Sequence, residues 1–206
     1  MIQKFATNSA LLLIDVQKGV DVLEHWGGPS GRRNNPAAES HLRALLEGWR
    51  GNGLPVFYTM HDSREERSPL KLALPTGKIK EGLEPRGNET VVKKDVNSGF
   101  IGTNLEVMLR RRHIHRLVVA GFFTNMCVET TVRMAGNLGF DTYLVADACA
   151  TSNRVGWDGV DRDPELVHAL AVTSMDGEFC TAVTTPNALR LLNDSAEDLF
   201  RRQGNE

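Results

Sequence analysis

The stretch "LVVAGFFTNMCVETTVRMAGNLGFDTYLVADACAT" (residues 117–151) decides the fold, because it holds two strand patterns separated by one helix pattern. An unbroken apolar run at 116–122 is typical of a strand that is buried on both faces. From about Thr124 the apolar residues recur at helical spacing and stop at Gly139. A second apolar run follows at 141–148. A strand, a helix and a strand in this order predict a parallel βαβ unit.

The same alternation extends over the rest of the chain. The predicted strands are 10–16, 54–60, 89–94, 116–122, 141–148 and 181–185, and the predicted helices are 36–53, 102–114, 124–139, 164–180 and 186–202. Six strands alternating with helices predict one α/β domain over residues 1–206, doubly wound, with helices on both faces of a parallel sheet. Two stretches without regular pattern, 24–35 and 61–88, are expected to form binding loops.

Composition excludes several classes of protein. The net charge of −2 over 206 residues gives no broad basic surface, so we expect no nucleic-acid partner. No apolar segment approaches the roughly 20 residues that span a bilayer, so we expect no membrane partner. The N-terminus does not resemble a signal peptide, and three widely spaced cysteines without a C-x-x-C pair argue against disulfides and zinc. A cytoplasmic location is therefore expected.

Three residues deserve a chemical interpretation, because ligands bind beyond the carboxyl ends of strands in open parallel sheets. Asp15 ends the first strand, and is compatible with a helix cap, an ion pair or a general base. Lys94 ends the third strand, and is compatible with a solvated surface role or with holding negative charge.

Cys127 follows the fourth strand, in the first turn of a predicted helix. The free N–H groups and the dipole at a helix start favour a thiolate and could bind an oxyanion. The alternative is a buried structural cysteine. A nucleophilic thiol needs a base, and the candidates are His61 and Asp15.

Three stretches in order resemble one known family: "ALLLIDVQ" (10–17), "VVKKDVNSGFIGTNLE" (91–106) and residues 117–151, with further likeness at 168–185. The family is the isochorismatase-like cysteine hydrolases, which include nicotinamidases, N-carbamoylsarcosine amidase and ureidoacrylate hydrolases. The resemblance covers nearly the whole chain. It implies a six-stranded parallel sheet of order 3-2-1-4-5-6 and a homo-oligomer, a dimer or a tetramer.

The resemblance also assigns roles to the three residues. The catalytic Asp, Lys and Cys of the family fall on Asp15, Lys94 and Cys127. Lys94 is preferred to Lys93 because the family's Lys stands six positions before the Phe of the "SGF" element, here Phe100.

A cis peptide precedes the cysteine loop in the family, and it would fall at Phe122–Phe123. The oxyanion donors would be the backbone N–H groups of Phe123 and Cys127. The implied reaction is cleavage of a C–N bond in a small amide, carbamoyl or ureido substrate through a thioester, without a cofactor.

Other functions are alternatives to this one. A non-catalytic member could use the pocket for binding or assembly, and a vinyl-ether hydrolase of the isochorismatase type is a third candidate. A Rossmann nucleotide-binding protein is disfavoured, since "IDVQKGVD" stands where G-x-G-x-x-G would follow the first strand. Nicotinamidases bind a metal through Asp-x-His and a further His, whereas "YTMHDSREERSPL" has His61 before Asp62 and no second His before His113. We therefore expect no catalytic metal.

The substrate pocket is harder to predict. Either arginine of the loop 24–35 could pair with a substrate carboxylate, or the loop could be solvated or form a subunit contact. Other candidates follow strands or supply aromatic walls. The candidate pocket residues are Gln17, Trp26, Arg32, Arg33, His61, Asn97, Phe100, Phe123 and Trp157.

Overall fold

The structure of the protein is a computed structural model, which describes residues 4–193. These described residues form eight strands: β1 (Ser9–Ile14), β2 (Val56–His61), β3 (Thr90–Lys94), β4 (Arg116–Phe122), β5 (Asp141–Ala150), β6 (Arg154–Val155), β7 (Asp161–Arg162) and β8 (Thr181–Val183). The α-helices are α1 (Leu23–Gly27), α2 (Ala38–Gly51), α3 (Leu105–Arg111), α4 (Glu129–Asn137), α5 (Pro164–Met175) and α6 (Thr185–Asn193).

The central sheet has six strands in the order β3-β2-β1-β4-β5-β8, and all of its pairings are parallel. The predicted order is confirmed, with β8 as the sixth predicted strand. The short antiparallel hairpin of β6 and β7 is not predicted. Its strands have two residues each, too short for an apolar pattern to reveal.

The register of the sheet brings the strand ends together. Ile14 at the end of β1 pairs with Thr59 in β2 and with Gly121 in β4. His61 at the end of β2 pairs with Lys94 at the end of β3. The residue that follows each of β1, β2, β3 and β4 therefore starts at one edge of the sheet, which is where open parallel sheets bind ligands.

Helix α2 illustrates how the sheet is covered. Its apolar residues recur at three- and four-residue spacing, and the side chains that share this face are all fully buried: Leu42, Leu45, Leu46 and Trp49. Full burial of one such side chain stabilises the fold by about 1.5–3 kcal/mol.

One predicted helix ends earlier in the structure, and the end of another is not described. Helix α5 ends at Met175 and not at Cys180, because Asp176 is extended and Gly177 has a φ of +79°. Such a φ suits glycine and ends a helix. Helix α6 is described to Asn193, so the rest of the predicted helix 186–202 lies outside the described residues.

The two predicted binding loops contain short helical elements and are tied to the strand ends. The first holds α1 and a 3-10 turn at Gly28–Ser30, and the second holds a 3-10 turn at Pro75–Gly77. Backbone hydrogen bonds run from Asn34 N to Thr151 O and from Lys80 N to Val16 O. No helix within residues 4–193 combines the length and the apolar character that a membrane crossing requires.

Candidate active site

Asp15 follows the last residue of β1 and is held in an unusual backbone conformation. Its φ is +48°, a left-handed value that Asp tolerates better than most residues and that often marks functional positions. The residue is 1% exposed. Thr59 of β2 fixes the carboxylate, because its hydroxyl donates to Asp15 Oδ1 at 2.6 Å.

Lys94 ends β3, and its side chain is fully buried. Its ammonium Nζ lies 2.6 Å from Asp15 Oδ2, 2.8 Å from His61 Nδ1, 3.2 Å from the Val96 carbonyl and 3.3 Å from Cys127 Sγ. One cation therefore joins the carboxylate, the imidazole and the thiol.

Cys127 lies in an irregular turn between β4 and α4. The peptide bond between Phe122 and Phe123 is cis, at the position that the resemblance indicated. A π-helical turn follows at Thr124–Val128, and Met126 within it has the non-helical angles φ −127° and ψ −105°. Helix α4 begins only at Glu129, so Cys127 precedes the helix rather than lying in its first turn.

Side chains from other elements hold this turn. Thr124 Oγ1 lies 2.9 Å from His168 Nδ1 in α5. Thr151, which follows β5, donates its hydroxyl hydrogen to Asn125 Oδ1 at 2.5 Å. Both contacts precede Met126 and hold the start of the turn that carries Cys127.

The electrostatics of the site favour a neutral thiol in the free protein. Burial raises the pKa of Cys127, the negative charge of Asp15 raises it further, and the positive charge of Lys94 opposes the rise without cancelling it. The expected stabilisation of a thiolate in the first turn of a helix does not apply here, because Cys127 precedes α4. Burial alone would lower the pKa of Lys94, but Asp15 and Cys127 raise it, so the ammonium form is kept.

His61 is poorly placed to act as the base for this thiol. Burial and the charge on Lys94 lower the pKa of His61. Its Nδ1 accepts a hydrogen bond from the Lys94 ammonium and lies 4.0 Å from Cys127 Sγ, so the lone pair that would take a proton is already used. Of the two candidate bases, the geometry favours Asp15.

Within the described part of the chain, one group of side chains could hold a metal ion. Ligand atoms of Asp15, His61 and Cys127 lie within 4.8 Å of one another. The Lys94 ammonium stands within 3.3 Å of all three, where a cation shared by them would sit. A metal there would have to displace this ammonium, so the donor set does not fit a resident ion.

A cavity of about 130 Å³ opens onto Cys127. Trp26 forms part of its wall; its Nε1 donates to the Gly19 carbonyl at 2.8 Å and its ring meets that of Phe123 edge-on at 5.0 Å. The described residues that line the cavity are Val20, Trp26, His61, Ser63, Glu65, Ser68, Leu70, Asn97, Phe122, Phe123, Met126 and Cys127.

Four of the predicted pocket residues line this cavity, namely Trp26, His61, Asn97 and Phe123. Gln17 and Phe100 do not. The amide of Gln17 is used by the backbone, because Nε2 donates to the His61 and Gly77 carbonyls and Oε1 accepts from His61 N. Phe100 stacks on Phe140 with ring centroids 5.9 Å apart.

The two arginines and the distant tryptophan are also placed elsewhere. Arg32 binds Asp161 at 2.8 Å, and Arg33 binds Glu39 at 2.7 Å. Neither lines the cavity. Trp157 is 100% exposed in the turn between β6 and β7, so the prediction that it walls the pocket is wrong.

Sequence reasoning missed Thr59, Ser63, Glu65 and Ser68. Thr59 could have been found, because it stands two residues before His61 in β2 and pairs with the last residue of β1. The other three lie in the loop after β2, where no periodicity predicts which side chains turn inward.

A larger depression, of about 490 Å³, lies at the opposite edge of the sheet, where β2 and β3 begin. Its lining includes Arg50, Arg86 and Arg112 with Glu89, and Arg50 is committed to Glu89 at 2.7 Å. The lining contains no nucleophilic thiol or imidazole base, so the smaller cavity at Cys127 is the candidate active site.

Comparison with known proteins agrees with the fold. The profile of the Isochorismatase domain matches residues 9–187. The isochorismatase family protein YrdC of Bacillus subtilis is 40% identical over 185 residues, which cover 90% of this chain and 95% of YrdC. The ureidoacrylate amidohydrolase RutB of Acinetobacter baylyi is 42% identical over 67 residues, which cover 32% of this chain and 27% of RutB.

The crystal structure of an isochorismatase-family protein from Chromobacterium violaceum superposes with a TM-score of 0.85 at 43% identity, over 92% of this chain and 96% of that one. The profile match and the YrdC match each span most of the chain. The sheet order and the strand-end cluster of Asp15, Lys94 and Cys127 agree with the same assignment. The chain belongs to the isochorismatase family of hydrolases.

Proposed function

We propose that this hydrolase cleaves the C–N bond of a small amide, carbamoyl or ureido compound through a covalent thioester on Cys127. One observation carries the proposal: the buried Lys94 ammonium hydrogen-bonds both Asp15, at 2.6 Å, and Cys127 Sγ, at 3.3 Å, beneath a cavity that opens onto the sulfur. A nucleophile, a base and a fixed positive charge are what acyl transfer through a thiol requires.

The first half of the reaction forms the thioester. Asp15 accepts the Cys127 proton as Sγ attacks the carbonyl carbon, and Lys94 holds the positive charge beside the developing thiolate. Backbone N–H groups of Phe123 and Cys127 would bind the oxyanion. Asp15 then passes the proton to the leaving nitrogen, the C–N bond breaks, and ammonia or an amine departs.

The second half releases the acid. Asp15 accepts a proton from a water molecule as the water oxygen attacks the thioester carbon. The C–S bond then breaks, and the thiolate recovers its proton from Asp15. The acid product leaves, and the Cys127 thiol and the Asp15 carboxylate are restored. One water molecule is consumed for each C–N bond cleaved.

The partial match to RutB, which is named as an amidohydrolase of ureidoacrylate, supports the choice of a C–N bond. A neutral resting thiol is consistent with a proton transfer that accompanies attack. The absence of a catalytic metal stays a prediction, and unchanged turnover in excess chelator would support it.

The experiment is a screen of small amides and ureides for ammonia release, followed by Cys127→Ala. We expect the variant to lose all measurable turnover, because the nucleophile is gone, and to unfold in urea at nearly the wild-type midpoint. Cys180→Ala is the matched control and should keep its activity, since no contact joins Cys180 to Lys94 or Asp15. Retained turnover in Cys127→Ala, or no acyl adduct on Cys127 in acid-quenched mixtures analysed by mass spectrometry, would contradict the covalent route.

A further inference from the structure

The lining of the active-site cavity carries one carboxylate and neither a lysine nor an arginine among the described residues. The carboxylate belongs to Glu65. The Glu65 side chain is 64% exposed, so it stands at the mouth, with His25 Nε2 3.9 Å away. A substrate therefore meets a carboxylate on its way to Cys127.

The cation nearest to the nucleophile is unavailable to a substrate anion. The Lys94 side chain is fully buried, and its Nζ lies 2.6 Å from Asp15 Oδ2. Its charge is matched by that carboxylate, so the pair presents no net positive charge to the cavity.

Two further cations, beside the Phe122 ring, are also matched by acids. Arg33 and Lys80 lie over the ring of Phe122, 5.4 and 5.5 Å from its centroid. Both bind Glu39, at 2.7 and 2.9 Å, and Lys80 also binds Asp21. Phe122 lines the cavity, so the substrate meets the aromatic ring and not these charges.

The polar groups of the lining suit an uncharged amide. The hydroxyls of Ser63 and Ser68 each accept a backbone hydrogen bond, from Glu65 N and Leu70 N, and each keeps its own hydrogen to donate. Asn97 adds both a donor and an acceptor. The volume of about 130 Å³ is below the usual range for ligand sites, so few atoms beyond the scissile group fit.

We propose that this cavity accepts a small uncharged amide or ureide and excludes compounds that carry a carboxylate near the scissile bond. A carboxylate inside it would lose water without gaining a counter-charge, and it would face Glu65 at the entrance. The proposal rests on the proposed function and names its substrate class.

A pair of thiol reagents tests the charge preference without assuming any substrate. Iodoacetamide and iodoacetate are nearly equal in size and differ by one negative charge, and both need the same thiolate. Their rates of reaction with Cys127 are measured on the folded protein by peptide mass spectrometry, and the ratio is divided by the ratio for the protein unfolded in guanidinium chloride. We expect the normalised ratio to favour iodoacetamide by on the order of tenfold or more.

Two charge-reversal variants complete the test. Glu65→Lys should lower the normalised ratio severalfold, because it puts a cation at the mouth. Glu66→Lys makes the same change on an exposed neighbour that does not line the cavity, and should leave the ratio unchanged. Equal or faster labelling of Cys127 by iodoacetate overturns the proposal.

The outcome is separable from that of the proposed function. Charge-selective labelling without ammonia release from any amide would contradict the hydrolysis and leave the charge preference standing. Ammonia release from succinamate as fast as from succinamide would contradict the charge preference and leave the hydrolysis standing.

Discussion

At the scale of single residues, Lys94 is the centre of the site. Four acceptors surround the Lys94 ammonium, which can donate only three hydrogen bonds, so every N–H of the ammonium has an acceptor. This arrangement explains how Asp15 can be 1% exposed, because a buried carboxylate is tolerated when it is paired and hydrogen-bonded.

Lys94→Met should therefore damage both stability and activity. Removing one partner of a buried ion pair costs about 3–5 kcal/mol, because the other charge is left unpaired. Loss of a charge that stabilises the reacting groups should lower kcat/KM by about 100- to 1,000-fold. Urea unfolding and ammonia release measure the two effects.

Lys93→Met is the matched control for this variant. The neighbouring side chain is exposed on the other face of β3, so both quantities should stay near wild type. A Lys94→Met protein as stable and as active as the Lys93→Met protein would show that the buried pair has no such role.

At the scale of elements, the contact between β1 and β4 sets the distance from Asp15 to Cys127. Gly121 in β4 has a φ of +132°, and a Cβ built there would lie 2.1 Å from the Ile14 carbonyl oxygen. The same position carries a register shift between Val119 and Gly121 against β5. The glycine therefore lets the backbones of β1 and β4 approach closely at Ile14 and Gly121, just before Asp15 and the cis peptide at Phe122–Phe123.

Gly121→Ala should cost about 3 kcal/mol or more, since the added methyl meets backbone and the φ is strained for alanine. Gly51→Ala, at the end of α2, has open space around the new methyl and should instead stabilise by about 0.5–1 kcal/mol. The urea midpoints of unfolding of the two variants, compared with that of wild type, measure these changes. Equal stability of the two variants would contradict the argument, whereas loss of soluble Gly121→Ala protein agrees with it.

The elements also show how far sequence alone can lead. All six strands of the sheet were predicted, most directly β1 and β4, because a strand covered on both faces has little freedom in composition. The positions of Asp15, Lys94 and Cys127 followed from strand ends. The position of Trp157 could not be predicted, because it depends on the hairpin of β6 and β7, whose strands have two residues each. Asp161 of this hairpin binds Arg32, which is distant in sequence, so Arg32 failed as a pocket residue for the same reason. Arg33 failed because it pairs with Glu39 at the start of α2.

At the scale of the whole molecule, buried titratable groups limit the pH range in which the folded protein is stable. Burial lowers the pKa of His61 and of His168. A base whose pKa is lowered on folding stabilises above its unfolded value, about 6.5, and that stability is lost as the pH falls below it. The alkaline side depends on cysteines, and all three in the chain are free and buried.

Burial raises the pKa of Cys149 to about 12 and that of Cys180 to about 12. An acid whose pKa is raised on folding stays protonated while the unfolded chain ionises near pH 9, so its contribution is complete below pH 9 and is lost as the pH rises toward 12. Each thiol should then lower the free energy of unfolding by up to about 1.4 kcal/mol per pH unit in that window.

In reducing buffer, the free energy of unfolding of Cys149→Ala should decline less steeply than that of wild type between pH 9 and 10.5. At pH 7–8 the two proteins should differ by a constant amount, because the variant lacks the buried sulfur atom. Urea unfolding at each pH measures both slopes. Parallel curves up to pH 10.5 would contradict the assignment, because a cavity changes stability by the same amount at every pH, whereas a buried thiol changes the slope.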